Sequence, residues 1–294
     1  MHIRQKAHAL LHLIISEIKR ALFKTKYYAE VDITDNCNLR CKHCYHFGNP
    51  FKVMKKEEIP LETWRERFKG LYREGIRFML LAGGEPALRM DVIELAYRTF
   101  PVVHIITNGQ IKIPKKFGRL VLFLSLDGDR ERNDLIRGKG SFEKALQNYS
   151  GDKRVIINMT LLEANYADIE AVVKIARKNS FRGVVCNFYT TSPDYNDPLL
   201  INQKERSDMI SELRRVKKLY PGDLLLTKSM IAWYSQPDHT GHCHWGDEAL
   251  HYDVSWKKRR CFSAPGCANC GCFAGSFQNP LSLLRYIREA FKLV

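Results

Sequence analysis

The sequence predicts an α/β fold built on a parallel sheet, on two observations. Six short runs rich in aliphatic residues fall at Ala29–Ile33, Phe78–Ala82, Val102–Thr107, Leu120–Leu126, Val155–Leu161 and Gly183–Tyr189. Helical periodicity separates most of them, over residues 61–74, 90–99, 141–149, 166–179 and 203–219. A helix between two strands returns the chain to the end where it started, so repeated strand–helix units lay their strands parallel. The link after the third run is shorter and contains Pro114, which argues against a helix there.

The 294 residues suffice for a large core, and one main domain with an appendage is expected. Three parts are read: 1–26, 27–222 and 223–294. The first is an amphipathic helix over residues 5–24, with Leu11, Ile14, Ile15, Ile18 and Leu22 on one side. Lys19, Arg20, Lys24 and Lys26 make its end basic. The apolar stretch His8–Ile15 imitates a signal peptide, but it lacks a small-residue cleavage site and runs on into Glu17-Ile-Lys-Arg20, so secretion is not expected. No apolar run approaches the roughly 20 residues of a membrane-spanning helix.

The apolar share of 45% and charged share of 27% are those of an ordinary globular protein. A net charge of +15 would suit nucleic acid, an anionic membrane surface or an acidic peptide, and a solvated basic surface accounts for it equally well. Leu281–Val294 is also amphipathic and basic, which adds peripheral membrane contact as a reading. Packing of both terminal helices on the domain is the simpler expectation. Of nine cysteines, three lie at 37–44, five between 243 and 272, and Cys186 stands alone. That grouping reads as metal ligation in a reducing compartment rather than as a disulfide scaffold.

The first strand runs into Cys37-Asn-Leu-Arg-Cys41-Lys-His-Cys44-Tyr45, a C-x3-C-x2-C spacing. Three thiolates can hold three irons of a [4Fe–4S] cluster and leave the fourth open to a small molecule. A structural zinc site wants four protein ligands. The second strand ends in Gly83-Gly84-Glu85-Pro86, where glycines admit a ligand close to the backbone and a carboxylate can accept from an ammonium group. Thr107-Asn108-Gly109 ends the third strand, Ser125-Leu-Asp127-Gly128 ends the fourth, and Arg137-Gly138 follows. Each of these last three, alone, is an ordinary turn.

In this order, at successive strand ends, the motifs resemble those of the radical S-adenosylmethionine (radical SAM) superfamily. The resemblance covers about residues 27–220, and residues 243–272 loosely. It implies an open, partial (β/α)6 TIM-like barrel with its chemistry at the strand C-terminal ends. It further implies that Cys37, Cys41 and Cys44 hold a [4Fe–4S] cluster at which S-adenosylmethionine is reductively cleaved. The resulting 5′-deoxyadenosyl radical would attack an unactivated carbon of the substrate. His43 stands at the family's aromatic position before the third cysteine and, with Tyr45, belongs beside the cofactor. Gly83, Gly84, Glu85 and Pro86 correspond to the segment that binds the cofactor's amino group. Thr107, Asn108, Ser125 and Asp127 border it, Ser125 near its carboxylate or ribose, and Arg137 matches an arginine that pairs with the methionine carboxylate. The histidine–aspartate pair usual ahead of that arginine is here Asn133-Asp134. An external one-electron donor, flavodoxin- or ferredoxin-like, and a cytoplasmic setting are implied as well.

Strand alternation adds candidate substrate contacts. Glu30 and Asp32 share a face of the first strand, Asn158 and Thr160 one of the fifth, and Asn187 and Tyr189 one of the sixth. The same rule turns Cys186 outward, towards the covering helices.

After about residue 222 the strand–helix pattern stops. Ala249–Val254 and Lys257–Cys261 read as hairpin strands around a turn, and Cys267-Ala-Asn-Cys270-Gly-Cys272 as a tight ligand loop. Four thiolates from Cys243, Cys261, Cys267, Cys270 and Cys272 would saturate a second [4Fe–4S] cluster or a zinc ion. The layout resembles the small cysteine-rich auxiliary-cluster extensions (SPASM and twitch) of radical SAM enzymes. The glycine expected before the second cysteine is absent, and Cys270 or Cys272 is the candidate spare ligand. A peptide is the substrate favoured by that resemblance. Lipid or isoprenoid chemistry at the inner membrane face is the rival. RNA modification lacks a recognisable RNA-binding module, and a non-catalytic nucleic-acid-binding cluster protein would have no use for Gly83-Gly84-Glu85-Pro86.

Overall fold

A computed structural model describes residues 11–12, 14–16, 18, 22, 25–44, 57–190, 198–236, 238–239, 243, 245, 249–259, 261 and 270–272. Tyr45, Cys267 and the helix expected over 281–294 lie outside the described residues. One sheet of eight strands runs β6-β5-β4-β3-β2-β1-β7-β8 among them. The strands are β1 (Tyr28–Thr34), β2 (Phe78–Gly83), β3 (Val102–Thr107), β4 (Val121–Ser125), β5 (Val155–Leu161), β6 (Val184–Phe188), β7 (Ala249–Tyr252) and β8 (Lys258–Arg259). Strands β1 to β6 are parallel throughout, each within one residue of the run expected from its apolar pattern. The helices are α1 (Leu61–Arg73), α2 (Met90–Thr99), α3 (Arg130–Arg137), α4 (Ser141–Tyr149), α5 (Ile169–Lys178), α6 (Gln203–Leu219) and α7 (Lys228–Trp233). The architecture is a partial barrel of six parallel strands, five of them followed by helices, with a cysteine-rich C-terminal region. Residues 108–120, around Pro114, carry no helix; Arg154 holds that link by donating to the carbonyls of Ile113, Pro114 and Phe117.

Helices α3 and α7 escape a periodicity reading because their ends, not their apolar faces, specify them. Asp129 accepts from Arg132 N at 2.9 Å and starts the polar α3, while Thr227 accepts from Met230 N at 3.1 Å and starts α7.

Alternation along the strands makes two layers. Val31, Leu81, Ile105, Leu122, Ile157 and Cys186 pack outward against Trp64, Phe68, Val92, Val173 and Leu213 of the helices. Leu80, Phe123, Ile156 and Val185 point inward with Trp245 and close the base of the lumen with apolar bulk. Above that plug the inward residues become polar.

A six-stranded open sheet leaves two edges, and the C-terminal region covers both. On one side β7 pairs in parallel with β1, placing Glu30 beside His251, and the expected hairpin continues into β8. The turn of that hairpin is pinned to α1. Arg67 lies between the rings of Trp64 and Trp256, 4.8 Å from each, and donates to Val254 O at 3.2 Å. Trp256 stands at φ 67°, a left-handed conformation disfavoured for a bulky residue, and stacks on Tyr252 at 4.3 Å. On the other side, Asp223 and Leu225 bond Val184, and Gly271 O accepts from Phe188 N at 3.0 Å.

The described residues of the N-terminal helix are helical, with Leu11, Ile14, Ile15, Ile18 and Leu22 exposed and Ser16 buried. No helix among the described residues is long and apolar enough to cross a membrane.

Gly271 tests the second edge contact. A Cβ there would stand 2.2 Å from Phe188 Cβ, too near the root of that side chain to be relieved by a rotamer change. Gly271→Ala is expected to cost about 1–3 kcal/mol in urea denaturation and to free the Cys270–Cys272 segment from β6, read as faster amide exchange at Phe188.

Candidate functional site

The loop after β1 is built by its neighbours. Glu58 accepts from both Thr34 Oγ1 and Asn36 Nδ2 at 2.6 Å through one oxygen. Its other oxygen accepts from Arg89 at 3.0 Å, and Asp91 holds Arg89 through two further bonds. The turn after β2 then closes on this loop. Gly84 N donates to Thr34 O and Glu85 N to Asn36 O, both at 2.8 Å. The approach excludes side chains: a Cβ on Gly84 would lie 2.1 Å from Asn36 O, and Gly83, at φ +116°, would place one 2.4 Å from Thr34 O. Glu58 and Arg89 were not legible in the sequence, since neither belongs to a motif.

Cys37, Cys41 and Cys44 form no disulfide and are half-buried at the sheet's C-terminal end. Lys42 N donates to Ile136 O at 2.9 Å and ties their loop to α3. Donors approach the sulfurs. Leu39 N lies 3.5 Å and Asn108 Nδ2 3.6 Å from Cys37 Sγ, and Arg137 lies 3.9 Å from Cys41 Sγ. Burial, with the charges of Glu85, Cys41 and Cys44, pushes the Cys37 thiol up to about 11 despite the Leu39 N–H. Burial raises Cys41 too, against the pull of Arg137. Among the described residues no three cysteine, histidine or carboxylate side chains are already grouped to hold a metal ion. Metal uptake would displace the protons of the thiols.

Two buried carboxylates lace the surrounding loops together. Glu85 caps the short turn Pro86–Leu88 by accepting from Ala87 N at 2.9 Å, and reaches across to Thr107 Oγ1 and Asn108 N, both at 2.7 Å. Oε1 thus accepts two bonds from the protein and Oε2 one. Burial raises its carboxyl, and those three donors oppose the rise. Asp127 Oδ2 lies 2.6 Å from Arg137 Nε and 2.8 Å from His43 Nε2, close charge contacts whose angles fall short of hydrogen bonds, and Oδ1 accepts from Thr160 N at 2.8 Å. Burial would lift its carboxyl, but Arg137 and His43 more than offset that and hold it well below the usual carboxylate range. Asn133 accepts from Asp127 N at 3.0 Å, and Asp134 accepts from Gly140 N and Phe142 N at the start of α4. The departure at Asn133-Asp134 therefore has structural work of its own.

The other sequence candidates divide in two. Ser125 neighbours Asn158 across β4 and β5, Asn187 donates to Asn158 at 2.7 Å, and the ring of Tyr189 stacks under His43 at 6.4 Å. These, with Thr160, line the upper lumen below the cysteine loop. Glu30 and Asp32 also face inward, but the C-terminal hairpin engages them. Glu30 contacts His251 Nδ1 at 3.1 Å and Trp245 Nε1 at 3.2 Å, and Asp32 accepts from Arg259 at 2.7 Å. No signal in the sequence pairs residues more than 200 positions apart. Among the C-terminal cysteines, Cys243, Cys261, Cys270 and Cys272 are buried. Cys272 N lies 3.5 Å from Cys270 Sγ, and Arg206 donates to Cys270 O at 2.8 Å. Cys186 is buried in the outer layer, as alternation requires.

Breaking a buried ion pair from one side typically costs about 3–5 kcal/mol. Asp127→Asn, which leaves Arg137 buried without its carboxylate, is expected to lower stability by that order at neutral pH in chemical denaturation. A depressed carboxyl stabilises fully above its unfolded value, about 3.9, and loses that contribution as pH falls towards its folded value. The acid limb of the stability curve should accordingly flatten in the variant.

Residues 31–201 match the family model described as the Radical SAM superfamily. Fe-coproporphyrin III synthase of Methanosarcina barkeri (strain Fusaro) is 29% identical over 209 residues, covering 64% of this chain and 51% of the synthase. PqqA peptide cyclase of Rhizobium meliloti is 23% identical over 279 residues, covering 88% of this chain and 73% of the cyclase. The chain thus spans about half the length of the first of these relatives. Streptococcus suis SuiB, solved with S-adenosylmethionine and with its precursor peptide SuiA, superposes with a TM-score of 0.66 at 14% identity in each case, over 95% and 94% of this chain and 70% and 68% of SuiB. At that identity the likeness to SuiB concerns the fold. The family model covers more than half of the sequence, and the chain belongs to the radical SAM superfamily, whose members use a [4Fe–4S] cluster and S-adenosylmethionine.

Proposed function

We propose that Cys37, Cys41 and Cys44 hold a [4Fe–4S] cluster, and that the protein uses it to functionalise an unactivated carbon of a peptide. When bound, cluster and S-adenosylmethionine together supply reductive cleavage and 5′-deoxyadenosyl radical chemistry. The observation that carries the reading is the donor set: three cysteines without disulfides on one eight-residue loop, with an amide and a carboxamide within 4 Å of Cys37 Sγ and a guanidinium within 4 Å of Cys41 Sγ. Such donors offset thiolate charge, as around iron–sulfur clusters generally.

The chain's own residues fix that loop and bound the chamber beneath it. Glu85 and Glu58 hold the β1, β2 and β3 loops in register around the Gly83-Gly84 turn, where a ligand's ammonium group would be received. Asp127 orients Arg137 and His43 at the loop's inner side, where a cationic guanidinium suits a carboxylate ligand. Ser125, Asn158, Thr160 and Asn187 offer uncharged polar contacts in the lumen, and the apolar plug beneath closes its base to water. A peptide substrate is supported by the PqqA peptide cyclase relative and by the structure of SuiB with SuiA. We assign the C-terminal cysteines to an auxiliary [4Fe–4S] cluster, with zinc as the alternative, in a region that extends the 27–222 barrel. An external one-electron donor and a reducing cytoplasmic setting belong to the same reading.

The test is anaerobic reconstitution, iron and sulfide counting, and a dithionite assay for 5′-deoxyadenosine. About eight irons per chain, with cleavage abolished in Cys37→Ala/Cys41→Ala/Cys44→Ala, is the expected outcome. About four irons with activity would give the C-terminal cysteines to zinc or to structure. A fully loaded protein that releases no 5′-deoxyadenosine, with or without added peptides, contradicts the proposal.

A further inference from the structure

We infer that the N-terminal helix is a docking surface for an anionic phospholipid bilayer. Leu11, Ile14, Ile15, Ile18 and Leu22 are 54%, 44%, 41%, 53% and 69% exposed. At 3.6 residues per turn their spacing confines them to one stripe about 100° wide, while Ser16 is turned inward at 6% exposure. Single exposed aliphatic residues are common on soluble proteins; a contiguous stripe is not, and it marks a surface that meets an apolar partner.

Composition and charge select the partner. The stripe is purely aliphatic. Interfaces between proteins concentrate aromatic, methionine and arginine side chains at their centres, whereas acyl chains need only apolar bulk. Residues 1–26 hold six basic residues (Arg4, Lys6, Lys19, Arg20, Lys24 and Lys26) against one acidic residue, Glu17. A second copy would bring the same basic flank and repel. The segment 281–294 would repel too, with Arg285, Arg288 and Lys292 against Glu289. An anionic headgroup layer attracts basic flanks, and the acyl boundary beneath it receives the stripe, as for helices that lie in the interface plane. This inference rests on the helix alone and stands whether or not the proposed reaction is correct.

The experiment is co-sedimentation of the full chain with vesicles of equal parts phosphatidylcholine and phosphatidylglycerol, beside pure phosphatidylcholine vesicles. Ile14→Ser/Ile18→Ser and Lys19→Glu/Arg20→Glu are the variants, with unfolding midpoints and solution mass measured in parallel. The wild type should bind the anionic vesicles, more weakly as salt rises, and bind phosphatidylcholine poorly. Each variant should bind anionic vesicles at least tenfold more weakly with its midpoint unchanged. Absence of wild-type binding, or variants that bind as well as the wild type, overturns the inference. A lowered midpoint in Ile14→Ser/Ile18→Ser would assign the stripe to packing on the domain. A dimer abolished by that variant, without vesicle binding, would assign it to a second copy.

Discussion

One buried carboxylate, Asp127, joins three parts of the chain that are distant in sequence. It draws His43 from the β1 loop, Arg137 from the end of α3 and Thr160 N from β5 to within 3 Å of its oxygens. A carboxylate in an apolar surround is costly unless it is paired and fully hydrogen-bonded. That cost makes the arrangement specific, because displacing Arg137 strands a buried charge on each side. The cysteine loop inherits its position from this knot, since Lys42 is bonded to the backbone of α3 one residue before Arg137. Glu85 does the equivalent work on the opposite side, between the β2 and β3 loops.

Both carboxylates sit where strand ends converge, which is where a parallel α/β sheet concentrates its loops. The outer layer of aliphatic side chains and the plug of Leu80, Phe123, Ile156, Val185 and Trp245 fix the strands, leaving the loops to differ in chemistry. The C-terminal region belongs to this scaffold as much as to any second centre. It covers the edge of β1 with a strand and the edge of β6 with Gly271 and residues 223–225. It also brings His251 and Arg259 to Glu30 and Asp32 on the inner face of β1. A change in the cysteine-rich segment would therefore be felt in the lumen wall through those two pairs.

The six strands were legible because each is a compact apolar run between helical patterns, and burial on both faces makes such runs unambiguous. The motifs at the strand ends were legible because their residue types and order are specific. Helices α3 and α7 were not, because Asp129 and Thr227 set them through capping, a signal of one residue each. Long-range pairs were not legible either. Nothing local in Glu30 announces His251, and nothing in Thr34 announces Glu58. The amphipathic pattern of the N-terminal helix was plain, but not the direction it faces. An apolar stripe predicts burial against something, and only the fold shows that the something is not the domain. Glu85 illustrates a subtler limit. Its type suits an ammonium partner, but nothing local in the sequence announces that it also accepts from Ala87, Thr107 and Asn108.

The central claim is that the cysteine loop and the knot beneath it form one site for an iron–sulfur cluster with an iron open to S-adenosylmethionine. Electron paramagnetic resonance of the reconstituted, dithionite-reduced protein tests it most directly, recorded before and after S-adenosylmethionine is added. A reduced-cluster signal that changes shape on addition, and is missing when Cys37, Cys41 and Cys44 are all replaced by alanine, is the predicted result. A signal that is present but indifferent to S-adenosylmethionine, or one that survives loss of the three cysteines unchanged, would contradict the account.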